Sequence, residues 1–147
     1  MATERPHLLD VNVLVALSWP QHVHHHRAHS WFADRRSPTW ATTPITEAGF
    51  VRISSNTAVI AAAVSVADAV QAIGALRALP GHTFVPDDSS LADPLIDLTR
   101  LVTPRQVTDF HLVNLAARSG ALLSTLDTAI LSYLIEADRR FVEVLPA

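Results

Sequence analysis

The chain has 147 residues, 49% of them hydrophobic and 17% charged, a balance that suits one folded domain and excludes a disordered chain. It holds no cysteine, which excludes disulfides and thiolate metal sites; all 11 basic residues are arginine, which excludes lysine chemistry such as a Walker phosphate loop or a Schiff base. The net charge of −3 argues against binding nucleic acid by bulk attraction, so any such contact must be local or bridged by cations.

No run of about 18 apolar residues is present, so no membrane span is expected. Glu4 and Arg5 near the start predict no signal peptide, and the missing cysteines fit a cytoplasmic protein.

Taken in chain order, His7 to Asp10 reads as a buried parallel strand. Asn12 suits a helix N-cap, and Val13 to Ser18 form a short helix stopped before Pro20. His22 to Arg36 has helical spacing and ends before Pro38. Thr39 to Thr43 is a second strand. Thr43 caps a helix that has Pro44 at its first position and runs to Ile53. Ala58 to Val64 is apolar and fits either helix or strand.

Ser65 to Asp68 resembles a capping box and opens a helix to about Leu79. "HTFVP" is a short strand, and "DDSSLADPLIDLTRL" a loop with a short helix. Thr103-Pro104-Arg105-Gln106 is a capping box whose helix reaches Ser119, with Gly120 at the C′ position. "ALLST" is a strand, Asp127 to about Asp138 a turn and helix, and "FVEVL" a last strand. This alternation predicts an α/β fold: an α/β/α sandwich with a mostly parallel central sheet.

Ligands bind open α/β sheets beyond the carboxyl ends of the strands. Asp10 ends the first strand, and Asp127 lies just past "ALLST". Asp109 lies about two turns into the helix before that strand, and Glu47 one turn into the helix after "TWATT". Each acid alone is equally well a turn or helix-end residue. Together, four carboxylates need a counter-charge. With no lysine, that charge is arginine or a hard divalent cation, Mg²⁺ or Mn²⁺. Such a cation can activate a water and steady the leaving oxygen of a phosphodiester.

"LLDVNVLVAL", "TPITEAGFVRI" and "VTDFHLVNLAARSGALLSTLD" resemble, in order and spacing, the PIN-domain ribonucleases, and more closely the VapC toxins of type II toxin–antitoxin systems. The resemblance spans nearly the whole chain and implies a single PIN domain over 1–147. It implies a metal-dependent endoribonuclease that cuts RNA, often tRNA or rRNA, and stops translation. It also implies a homodimer and a VapB-type antitoxin that blocks the acidic site. By position, Asp10 matches the first-strand metal ligand, Glu47 the helix glutamate, Asp109 the third acid and Asp127 the fourth. Asn12 and Thr125 match polar residues that orient the ligands through hydrogen bonds. Many relatives carry another acid shortly after the fourth; here Thr128, Ala129 and Ile130 follow.

Three other features compete for a role. His22, His25, His26 and His29 fall at helical spacing on one face, which fits a surface helix better than zinc, because no acid at ligand spacing accompanies them. His24 or His25 near the site could touch RNA. Arg52 either forks onto a phosphate or solvates a helix end. Trp19, Trp31, Trp40 and Phe32 suit the core or a dimer contact, and His111 reads as structural.

Two other functions fit the sequence less well. An aspartyl phosphatase needs an acid two residues after Asp10 and a lysine, and the chain has Asn12 and none. A non-catalytic binding module acting through dimer or antitoxin contacts would have no use for four like charges together.

Overall fold

Short β-branched and leucine-rich stretches alternate along the chain with longer segments of helical spacing, several of them begun by a capping residue. A computed structural model describes residues 4–147; the first three residues of the expected single domain, and of the start that predicts no signal peptide, lie outside the described residues. The elements are β1 (His7–Leu9), α1 (Val11–Ser18), α2 (His25–Asp34), β2 (Trp40–Thr42), α3 (Pro44–Ser54) and α4 (Val66–Arg77). They continue with β3 (His82–Phe84), α5 (Val107–Ser119), β4 (Leu122–Thr125), α6 (Ile130–Tyr133) and β5 (Val142–Val144).

The sheet has the order β3-β2-β1-β4-β5, and every pairing is parallel. Parallel strands need crossovers, so both faces are covered by helices. Alternation along the strands sorts the core into two layers. Leu8, Ala41 and Leu123 pack against α5, α6 and Ile96, while Leu9 and Trp40 pack against α1, α2, α3 and α4. The result is the expected α/β/α sandwich. None of its helices is long and apolar enough to cross a membrane.

Several local expectations change. The N-cap of α1 is Asp10, whose side chain accepts from the Val11 N–H; Asn12 lies inside the first turn. Pro20 breaks the helical spacing, so α2 begins at His25 and leaves His22 in a turn. Residues 58–64 are mostly turns, and no helix forms between residues 87 and 101. Residues 127–138 fold as the single-turn α6 followed by the 3₁₀ segment Glu136–Phe141. Asp109 sits in the first turn of α5, because Pro104–Gln106 form a separate 3₁₀ turn. The capping boxes at Thr43 and Thr103 are present, and Gly120 takes φ +67° as a C′ residue should.

One glycine is demanded by both conformation and space. Gly81 has φ +86°, its carbonyl accepts from the Trp40 N–H at 2.9 Å, and an added Cβ would sit 2.1 Å from the Pro38 carbonyl oxygen. Gly81→Ala is therefore expected to cost at least about 2 kcal/mol, lowering the melting temperature by roughly 4–8 °C in a domain this size. Thermal unfolding followed by circular dichroism checks it; an unchanged midpoint would contradict the packing described.

Candidate active site

Strand register builds the site. Leu9 pairs with Ser124, and the Asp10 N–H donates to the Ser124 carbonyl at 3.0 Å, so Asp10 and Thr125 meet where β1 and β4 end. Asp10 is buried, with 8% of its surface exposed. One carboxylate oxygen, Oδ1, accepts from Val11 N–H at 2.7 Å, where the positive end of α1 favours negative charge. The other, Oδ2, accepts from the Thr125 hydroxyl at 2.7 Å.

Thr125 connects the remaining pieces. Its Oγ1 accepts from the Asn12 amide at 3.1 Å and from the Asp127 N–H at 3.1 Å. Asn12 Oδ1 in turn accepts from the Leu126 N–H at 3.1 Å. Asp127 Oδ1 accepts from the Ala129 N–H at 2.9 Å, which stiffens the loop after β4. Asp10, Asn12, Thr125 and the backbone of Asp127 thus form one hydrogen-bonded unit.

Asp109 completes the group from α5, the helix that returns the chain to the start of β4. A cleft of about 300 Å³ is lined by Asp10, Asp109 and Asp127 together with Val11, Asn12, Val15, Ile53 and His22. Its lining holds three carboxylates and no arginine. Burial, then the charges of Asp10 and Asp127, push Asp109 up to about 6. Asp10 is also raised, by burial first and by Asp127, against the hydrogen bonds from Thr125 and Val11. Among the described residues no group of three acids or histidines is placed to hold a metal ion as it stands. The arrangement is a cleft of crowded carboxylates in which two of the three hold their protons more tightly than free aspartate does.

Glu47 is not brought into this cleft. Its carboxylate accepts from the Thr42 hydroxyl and from Arg77 at 3.3 Å, on the β2 side of the sheet. Arg52 is exposed and makes no ion pair among the described residues. The histidines do not share one face. His25 Nδ1 bonds the Ala16 carbonyl at 2.7 Å and His29 Nε2 the Leu17 carbonyl at 2.9 Å, so both close the carboxyl end of α1. His22 is the site residue that helical spacing hid; burial and then His24 and His25 lower its pKa, which keeps the ring neutral at pH 7. The break at Trp19-Pro20 was its signal. Trp31 and Trp40 are core residues, Trp19 stacks on Phe50, and His111 holds Asp87 at 2.8 Å.

The raised pKa of Asp109 makes a stability prediction for the metal-free protein. The folded chain holds this proton more tightly than the unfolded one. Its contribution to stability is complete below about pH 3.8 and is lost as pH rises through about 6. Above that, the ionised group opposes folding. Asp109→Asn should raise the melting temperature at pH 7.5 in EDTA by about 2–4 °C, on the order of 1 kcal/mol for a half-buried, partly screened group. The gain should shrink at pH 4; equal gains at both pH values would contradict the repulsion.

No protein-family model matches the chain. Individual proteins do. Ribonuclease VapC39 of Mycobacterium tuberculosis is 50% identical over 143 residues, covering 94% of this chain and 98% of that protein. Ribonuclease VapC38 of the same organism is 47% identical over 138 residues, covering 94% and 96%. The crystal structure of M. tuberculosis VapC20, described as a sarcin–ricin loop cleaving toxin, superposes with a TM-score of 0.60 at 13% identity, over 88% of this chain and 97% of that one. At these identities over nearly its whole length, and with this sheet, the chain belongs to the VapC ribonucleases of the PIN fold.

Proposed function

We propose that the chain is a metal-dependent endoribonuclease toxin that cuts tRNA or rRNA at the Asp10–Asp109–Asp127 cleft and so inhibits translation. The observation that carries this reading is three carboxylates in one cleft with no arginine in its lining. The donor set suits a hard divalent cation, Mg²⁺ or Mn²⁺, because it is all oxygen and its charge is uncompensated. Asp10, Asp109 and Asp127 would hold the ion. When bound, it would supply Lewis acidity that polarises an attacking water and screens charge at the phosphate.

The chain's own residues do the rest. Thr125 and Asn12 hold the Asp10 carboxylate and the Asp127 loop in one geometry, which limits reorganisation during the reaction. Val11, Val15 and Ile53 give the cleft an apolar wall that lowers its dielectric. Neutral His22, whose Nδ1 accepts from the His24 N–H at 3.0 Å, borders the cleft with its Nε2–H left to donate to RNA. Glu47 would join the acids only by leaving Thr42 and Arg77. Arg52, exposed next to Ile53 of the cleft wall, is within chain reach of a phosphate beside the site. A VapB-type antitoxin and a homodimer are proposed on family membership alone.

The test is cleavage of total tRNA and rRNA by antitoxin-free protein in Mg²⁺ or Mn²⁺. The expected result is cutting by the wild type that EDTA stops, with Asp10→Asn and Asp109→Asn folded but at least about 100-fold slower. Equal weak cutting by all three would indicate a contaminant and leave a non-catalytic binding module. A finer prediction concerns Thr125→Val: its apparent Mn²⁺ affinity should fall roughly 10–100-fold with the fold intact, as for other residues that orient metal ligands. Unchanged affinity in a metal titration would remove Thr125 from the machinery.

A further inference from the structure

The acid cleft offers RNA no arginine, yet the chain belongs to a ribonuclease family and is acidic overall. Beyond Arg52 and His22 at the cleft, a further grip on the RNA backbone would have to lie elsewhere. A groove of about 830 Å³ collects Arg5, Arg27, Arg35, Arg36 and Arg140. These are five of the 11 basic residues, beside only Asp34 and Glu143 of the 14 acidic ones in the same lining. Charge is therefore segregated: a net-positive groove on a net-negative protein.

The topology explains the gathering. Arg5 precedes β1, Arg36 precedes β2 and Arg140 precedes β5, so parallel strands bring all three to the amino edge of the sheet. Arg27 and Arg35 come from α2, which lies along the groove, and at its C-cap. The acid cleft lies at the opposite, carboxyl edge. The strands are three or four residues long, so the two edges are on the order of 10–14 Å apart through the sheet.

The arginines divide into two kinds. Arg27 donates to the carbonyls of Leu145 and Pro146, and Arg35 donates to the Phe32 and Pro38 carbonyls with its guanidinium over the Phe32 ring; these two build the wall. Arg5, Arg36 and Arg140 are exposed and form no ion pair among the described residues. Glu143 is already engaged by the Trp31 indole N–H at 2.6 Å. Within the wall, the buried Arg35 Nε–H has no acceptor, a group that ordinarily finds a partner. Arginine forks match phosphate oxygens in pairs, and no residue of the groove other than Asp34 and Glu143 opposes an anion.

We propose that this groove is a second RNA-binding site, a phosphate-backbone clamp at the amino edge of the sheet that holds the substrate away from the cutting cleft. It rests on the chain acting on RNA and not on the metal at the acids. A folded RNA held there has a neighbouring segment within reach of the cleft around the thin edge of the domain. Recognition is of backbone charge, so it carries little base preference.

The test is binding without cleavage. Fluorescence anisotropy of a short single-stranded RNA is measured in EDTA over a range of salt concentrations, with the intact chain and two triple variants of equal charge change. One replaces the groove's free arginines (Arg5→Gln, Arg36→Gln, Arg140→Gln). The other replaces arginines elsewhere (Arg100→Gln, Arg118→Gln, Arg139→Gln). The groove variant should bind at least about 10-fold more weakly, and its log–log salt slope should flatten by about 2, the value for three lost phosphate contacts on a single strand. The control variant should stay within about twofold. Equal losses in both would mean bulk charge only and would overturn the proposal, as would an unaffected groove variant. If the triple variant melts early, Arg36→Gln alone is read the same way, with a slope change of about 0.7. Polyglutamate serves as the competing probe: tight groove-dependent binding of it with no RNA binding would assign the groove to an acidic protein instead. Because EDTA is present throughout, failure here leaves the metal-dependent reading untouched, and failure of that reading leaves the clamp untouched.

Discussion

The Thr125 hydroxyl is the joint on which the candidate site depends. It donates to Asp10 and accepts from both Asn12 and the Asp127 backbone, so one side chain at the end of β4 ties β1, α1 and the following loop together. The joint exists because β1 and β4 are neighbours in parallel register, which puts Asp10 and Thr125 side by side. Everything the acids can do follows from that register. A slip of one residue would turn Thr125 to the other face of the sheet and leave Asp10 buried with an unanswered carboxylate oxygen.

Against this joint stands repulsion. Burial first raises the proton affinity of Asp10 and Asp109, and neighbouring charge raises it further: Asp127 acts on Asp10, and Asp10 and Asp127 act on Asp109. A fold seldom keeps such a cost without a use, and local rules are broken most often where function requires it. Positive charge was available: five arginines were placed in one groove, at the other edge of the same sheet. On the proposed reading, the absence of arginine from the acid cleft leaves its charge for a cation to meet, and the arginines of the groove let an acidic protein hold a polyanion. The all-arginine composition, at first only an exclusion of lysine chemistry, thus acquires a structural meaning.

How much was legible in the sequence depended on how local each feature was. The boxes at Thr43 and Thr103, the C′ glycine at 120 and the parallel sheet were readable, because capping and strand alternation are decided within a few residues. Asp10 and Asp127 were readable because they follow the carboxyl ends of β1 and β4, and Asp109 because the helix that leads into β4 begins at that same edge. Glu47 was not. Its helix starts where expected, but its carboxylate is held by Arg77, 30 residues away on α4, a pairing no short motif encodes. His22 was hidden by a helical spacing that Pro20 interrupts. The arginine groove was invisible for the same reason as Glu47: Arg5, Arg36 and Arg140 are far apart in the chain and meet only through topology.

The central proposal, that the three carboxylates bind a divalent cation, is tested most directly by calorimetric titration of Mn²⁺ in buffers of different ionisation enthalpy. Burial and its acidic neighbours push Asp109 up to about 6, so an ion that binds its carboxylate should release more protons near pH 6 than at pH 8. Binding with that proton release, absent in Asp109→Asn, is the predicted result. No Mn²⁺ binding, or binding with the same proton count at both pH values, would contradict the account.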